Sequence, residues 1–260
     1  MVVAGKSTCV CMTNVSFQDC PLVVLDGASV TLVDTKFTWQ PGAKDSISIF
    51  ASDKRTSVTL QRCVVQGGCQ GTTVRNGASM HAVEFQCQRV AEMGLESHGW
   101  GSRLRLTHCA VQQVCTCYRS DSAASGEGSG NHSSSPERHA TCSCRALYRA
   151  QGAGISIQGN SMVWGDEVHV EGARKGVLVS DAHVHFENSS FVNCSHTCCE
   201  VMSLYSAEFI NCQFTRARYA GLSFMEQRTI EGEHTQHIVC LLYTSPSPRD
   251  RTRSRMPSSA

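Results

Sequence analysis

Two C-x-C pairs, Cys115 with Cys117 and Cys142 with Cys144, are the sharpest group of reactive side chains in the sequence, and they bracket a run rich in Ser and Gly. If that run leaves and re-enters the same place, four sulfurs approach one another. Three outcomes compete: disulfides pinning the base of the loop, a four-cysteine zinc site, or reduced thiols. C-x-C is tighter than the C-x₂₋₄-C spacing of structural zinc, which favours disulfides or free thiols over a metal. A second group consists of Arg103 with Arg105 and His183 with His185. A spacing of two residues puts both members of each pair on one face of a strand. Such a face offers donors to a sugar, and the imidazoles add a possible metal site, although simple solvent exposure is the plainer role for both histidines.

The elements that carry these groups belong to one repeated phrase. Its cleanest copies are AHVHFENSSF, starting at Ala182, and YSAEFINCQF, starting at Tyr205. Further copies start at Thr8, Ala28, Thr56, Ala78, Ser102 and, loosely, Asn160, so successive starts lie 20, 28, 22, 24, 58, 22 and 23 residues apart. A period in the twenties with strand alternation inside it is the mark of a solenoid. A second alternation lies between the phrases, as in AGISIQG and KGVLVSD. Glycine precedes or opens it at Gly94, Gly154, Gly176 and Gly221, where a turn needs positive φ or a close backbone approach. No segment sustains a 3.6-residue apolar spacing, so the units read as all-β coils. Stacked at about 4.8 Å per coil, they form a column on the order of 38 Å long.

From Thr8 to Glu226 this pattern resembles the right-handed parallel β-helix proteins, the pectin-lyase-like fold. The resemblance implies an all-β, right-handed parallel β-helix solenoid of about eight coils, with residues 1–239 as one solenoid fragment and 116–143 as an inserted loop. Val30, Leu32 and Phe37 then point inward, as do Val184, Phe186 and Phe191, and Ala207, Phe209 and Phe214. Asn14, Asp34, Asn188 and Asn211 occupy equivalent bends, where short polar side chains bond to nearby backbone and stack as a ladder. In this family, loops such as the insertion flank the binding groove.

Many members of the family cleave acidic polysaccharides. Similarity to polygalacturonases implies N-T-D, D-D, G/S-H-G and R-I-K motifs in order. Only Ser97, His98 and Gly99 match, which makes His98 the one catalytic candidate and leaves it without the paired carboxylates of a general acid and base. Similarity to pectate lyases implies an acidic calcium cluster. The outward column instead stacks Ser29, Ser57 and Ser79 with Thr31, Thr59, His81, Arg103, Arg105, His183 and His185, which offers few charged oxygens to calcium. The reading is a non-catalytic repeat module that binds a polysaccharide or another protein, with no cofactor implied. The alternative is a polysaccharide lyase or glycoside hydrolase whose catalytic coils are missing or degenerate.

The 41% hydrophobic and 17% charged composition supports a sizeable core, and no stretch approaches the roughly 18 apolar residues that span a bilayer. The segment 240–260 breaks the repeat, clusters Ser, Pro and Arg, and resembles the conceptual translation of a sequencing adapter. It is set apart as an artefactual or disordered tail. Its Arg249, Arg251, Arg253 and Arg255 against Asp250 carry +3, so the remainder goes from +1 to −2 and no nucleic-acid footprint is expected. Of the 16 cysteines, Cys63, Cys109 and Cys212 share one repeat slot and suit a packing role, with disulfides between coils as the rival reading. Sequons at Asn14, Asn131, Asn188 and Asn193 fall mostly on expected turns, and MVVAGKSTCV lacks the layout of a signal peptide. The compartment is left open, an extracellular or cell-surface location being compatible.

Overall fold

The computed structural model describes residues 1–40, 43, 45–114 and 152–224, together with the backbone of the strand His237–Leu242. Among these residues there is no helix, and hence none long and apolar enough to cross a membrane. The strands pair in parallel with their counterparts one repeat away, which makes a β-solenoid of about eight turns.

Three faces result. The first stacks the phrase strands Cys9–Thr13, Ser29–Val33, Ser57–Gln61, Ser79–Val83, Arg103–Thr107 and Met162–Asp166, then the second half of Lys175–Glu187 and the middle of Thr197–Thr215. The second stacks three-residue strands from Ser16–Gln18 through Lys36–Thr38 and Gln86–Gln88 to Ser190–Val192. The third stacks the other alternation, including Ile47–Ser52, Gln70–Arg75, Met93–His98 and Ala153–Gln158. His237–Leu242 adds to the first face and spans the boundary drawn at Cys240 from the sequence.

Alternation puts one residue in two into the interior. Val30, Leu32, Phe37, Phe186, Phe191, Ala207 and Phe209 are fully buried, Val184 nearly so, and Phe214 packs partly buried against the core. Each large inward side chain contributes about 1.5–3 kcal/mol. The rings of Phe186 and Phe209 stack across neighbouring coils, 6.1 Å apart and 9° from parallel.

The corner between the first and second faces is one residue in the left-handed region. Asn14, Asp34, Arg62, Glu84, His108, Glu167, Asn188 and Asn211 hold it in turn, with φ between 50° and 56°. Their outward side chains interact from coil to coil: Asp34 takes two bonds from Arg62 at 2.7 and 2.9 Å, His108 Nδ1 lies 2.7 Å from Glu167, and Asn211 Nδ2 donates to Asn188 Oδ1 at 3.3 Å. The next residue turns inward, and here the shared cysteine slot gains a physical reason. Cys63, Cys109 and Cys212 each place Sγ 3.3–3.4 Å from the carbonyl two residues earlier and 3.4 Å from a carbonyl of the preceding coil. Thr35 and Ser189 fill the slot elsewhere and make the same bond to the carbonyl two residues back. In the remaining coils Val15, Phe85 and Val168 hold the same place, so the slot takes either an apolar side chain or a small donor that finds these carbonyls. Burial pushes the Cys63 and Cys109 thiols up, so they persist as S–H donors.

Candidate functional site

The outward side of the first face carries an open groove of about 740 Å³. Register builds it. Thr59, His81, Arg105, Trp164 and His185 follow one another as Cα partners in successive strands, and Glu208 continues the column beyond His185. Ser57, Ser79 and Arg103 form a parallel column two residues away on the same strands. Thr107, Asp166 and Glu187 form the third.

Trp164 stands in the middle of the groove with 42% of its surface exposed, between Arg105 and His185. His185 is held from two sides, with Nδ1 2.7 Å from Glu208 Oε2 and Nε2 4.0 Å from Glu187 Oε2. Burial, and secondarily the charge of Arg105, hold the His81 imidazole below its ordinary range, so its neutral form dominates at neutral pH. Asp166 accepts a bond from Asn188 Nδ2 at 3.1 Å.

Of the residues singled out from the sequence, Arg103, Arg105 and His185 line this groove. His183 lies on the same face one column over; its ring stacks on Tyr205 at 5.1 Å and its Nδ1 is 2.9 Å from Ser206 Oγ. His98 is elsewhere, at the exposed end of Met93–His98 on the third face. The Ser97 before it points into the core with its hydroxyl unpartnered, so the Ser-His-Gly match is not displayed as one surface. Cys115, Cys117, Cys142 and Cys144 lie outside the described residues.

The groove also holds what the sequence reading missed. Trp164, Asp166 and Glu187 bring an aromatic platform and two carboxylates to a face read as poor in charged oxygens, and Glu208 adds a third in the coil beyond His185. The loose phrase copy at Asn160, laid over the copy at Ser102, sets Trp164 opposite Leu106, whereas the strands pair one residue further on, Arg105 with Trp164 and Thr107 with Asp166; that slip of one residue exchanges inward for outward and hid both side chains.

The third face carries two outward acids that are nevertheless buried. Glu96 bonds to Arg75 at 2.9 Å and Thr73 at 3.3 Å, and Glu200 bonds to Lys175 at 2.5 Å with His196 3.9 Å away. Among the described residues, no group of three His, Cys, Asp or Glu side chains is placed to hold a metal ion.

No family model matches the chain, and no curated protein matches it. Among solved structures it is similar to the catalytic domain of GH87 alpha-1,3-glucanase in complex with nigerose, at 9% identity and a TM-score of 0.23 over 92% of this chain. A variant of that domain with the same ligand gives 9% identity and a TM-score of 0.26 over 93%. The chain spans 61% of the length of these domains. At such distances the function has to be read from this chain's own side chains.

Proposed function

We propose that the chain is a non-catalytic β-helix module that binds a polysaccharide along the groove of its first face. The observation that carries this reading is Trp164, a solvent-exposed indole held in register between Arg105 and His185. The flat indole face accepts the C–H face of a pyranose ring, and its burial supplies the apolar part of the affinity. Arg103, Arg105 and His185 supply directional donors around it, with His183 alongside, and strand spacing fixes their separation without loop ordering, which lowers the cost of binding. Guanidinium groups flanking an aromatic suit a sugar bearing carboxylates as well as hydroxyls. Affinity electrophoresis through gels containing neutral or uronate polysaccharides tests this. Retardation of the native chain that is lost in Trp164→Ala and reduced in Arg105→Ala supports the reading; a chain that no polysaccharide retards removes it.

A hydrolytic reading has one observation in its favour. Asp166 and Glu187 are Cα partners in adjacent strands of the groove, one strand spacing of about 4.8 Å apart, a carboxylate pair beside His185. A general acid, however, needs a carboxyl desolvated enough to keep its proton near neutral pH. The Glu187 side chain is 45% exposed, which favours binding over catalysis. Release of reducing ends from a retarded polysaccharide, abolished by both Asp166→Asn and Glu187→Gln, would reverse that preference.

A further inference from the structure

The corner between the third and first faces alternates in length from coil to coil. Four residues connect Val2–Ala4 to Cys9–Thr13, Ile47–Ser52 to Ser57–Gln61 and Met93–His98 to Arg103–Thr107, whereas three connect Leu22–Leu25 to Ser29–Val33, Gln70–Arg75 to Ser79–Val83 and Ala153–Gln158 to Met162–Asp166. The long corners read GKST, DKRT and GWGS, and the short ones DGA, NGA and GNS. Every second coil therefore pushes one more residue out at its tip, and those tips carry Lys6, Lys54 and Trp100. All three are exposed, Trp100 by 71%.

Hydrogen bonds hold this ridge in place. Each long corner is closed by a bond from its last N–H to its first carbonyl, Thr8 to Gly5 and Thr56 to Asp53 at 3.1 Å and Ser102 to Gly99 at 3.2 Å. Two of those last residues also tie down the short corner before them: Thr56 Oγ1 accepts from the Gly27 N–H at 2.9 Å, and Ser102 Oγ accepts from the Gly77 N–H at 3.1 Å. Gly27 and Gly77 hold φ at 79° and 84°, and a Cβ on Gly77 would lie 3.1 Å from Lys54 Cγ, so conformation and closeness both call for glycine there. The stems of Lys6 and Arg55 flank Gly27, with Lys6 Cγ at 3.8 Å and Arg55 Cβ at 3.7 Å from where its Cβ would stand. The outcome is a row of projecting side chains two coils apart, with glycine between them.

The row is cationic and its cations are free to bind. Among the described residues none of Lys6, Lys54 and Arg55 has a carboxylate partner. Asp53 is already engaged, by the Ser52 hydroxyl at 3.2 Å and the Asp26 N–H at 3.4 Å, which leaves the exposed Asp26 as the acid that the three cations outweigh. Side chains on every second coil recur at about 9.6 Å, twice the strand spacing. An extended peptide repeats its same-side side chains about every 6.6 Å and does not match that interval. A nucleic-acid strand carries a charge about every 3.4 Å, which is far denser. Linked pyranose rings advance by about one coil spacing per sugar, so a two-sugar repeat does match.

We propose that this ridge is a second polysaccharide site, which takes an acidic chain carrying one anionic group per two sugars. Lys6 and Lys54 hold successive anionic groups, with Arg55 beside Lys54 as a further donor. Trp100 stacks on a ring at the next repeat, its neighbouring coils carrying Gly77 and Gly159 at this corner and so leaving the indole open. Because the closed corners set the tips before a ligand arrives, little ordering cost attends binding. The ridge stands three residues upstream of Arg103, at the margin of the groove, and is occupied independently of it.

Affinity electrophoresis of the full chain tests this, with gels containing hyaluronan, which carries one carboxylate per disaccharide, or polygalacturonate, which carries one per sugar. Hyaluronan should retard the native chain and should still retard Trp164→Ala, in which the groove has lost its platform. The retardation that remains should weaken about threefold to tenfold when Lys54→Ala or Trp100→Ala is added, and Lys6→Ala should act in the same direction. A native chain that hyaluronan does not retard would overturn the ridge site, as would retention unchanged by all three ridge substitutions. Hyaluronan retardation abolished by Trp164→Ala alone would also overturn it, while supporting the groove. Polygalacturonate that retards Trp164→Ala as strongly as hyaluronan, through Lys54, would remove the two-sugar spacing. The groove reading fails separately, if no polysaccharide is held in a way that depends on Trp164. The three ridge side chains are exposed at corner tips, circular dichroism checks each variant, and Lys54→Ala decides the matter if Trp100→Ala fails to fold.

Discussion

Phe186 fills the space that Gly165 leaves open. The two are Cα partners in adjacent coils, and a Cβ built on Gly165 would overlap the Phe186 ring. The ring then stacks on Phe209 in the following coil and meets Phe191 edge-on at 5.3 Å. Gly165→Val should therefore overpack the interior and destabilise the chain by about 1–3 kcal/mol, while Phe186→Ala should cost about 3–5 kcal/mol through the cavity it leaves. Denaturant unfolding midpoints of both variants check this; a Gly165→Val midpoint equal to that of the native chain would contradict the stacking.

Thr72 and Ser97 both turn a hydroxyl into the core where no partner meets it. An unsatisfied buried hydroxyl carries a desolvation cost of about 1–3 kcal/mol, so Thr72→Val, which keeps the shape, should stabilise the chain by about 1 kcal/mol. Ser97→Ala should act in the same direction. Thermal midpoints that fall in both variants would mean that the hydroxyls are satisfied, for example by buried water.

Glu84 occupies the left-handed corner at φ 52°, a position that Asn14, Asn188 and Asn211 hold in other coils. Left-handed backbone costs a side chain such as Glu about 1 kcal/mol, and Asn tolerates it better. Glu84→Asn should raise the unfolding midpoint by an amount equivalent to roughly 0.5–1 kcal/mol, measured by thermal melts beside Thr59→Asn, where the strand backbone rewards no such change.

Acid should weaken the fold in two stages. Burial, aided by Arg105, holds His81 below the ordinary 6.5. Burial, aided by Lys175 and Arg174 against the opposing pull of Glu200, does the same for His196. Each binds its proton more readily in the unfolded chain, so its contribution is present above 6.5 and is lost as pH falls through the folded value. Asp34 is held below 3.8 by Arg62, and Glu171 below 4.5 chiefly by Asn193 and then His169. Their contributions are present above those values and disappear as pH drops through the lowered ones. Melting temperature against pH should fall from about pH 6.5 downward, and again below about pH 4. His81→Gln should shrink the first step, and a melting temperature that rises on acidification to about pH 5 would contradict the assignment.

The amino-acid sequence alone determined what each coil encodes locally. Alternation set Val184, Phe186 and Phe209 inward, and short polar residues marked the corners at Asp34 and Asn188. These properties repeat within about 22 residues, so they are legible without knowing which coil lies against which. The paired Arg103 and Arg105 and the paired His183 and His185 were legible for the same reason, because two-residue spacing already places them outward. Only the tertiary structure decided which outward residues become neighbours. Trp164 sits beside Arg105 although the 58-residue interval separates their phrases, and Asp166 meets Glu187 through register between coils rather than through any motif. Strand periodicity fixes the direction of a side chain, whereas its company depends on parallel pairing across long stretches of chain, which no local pattern carries.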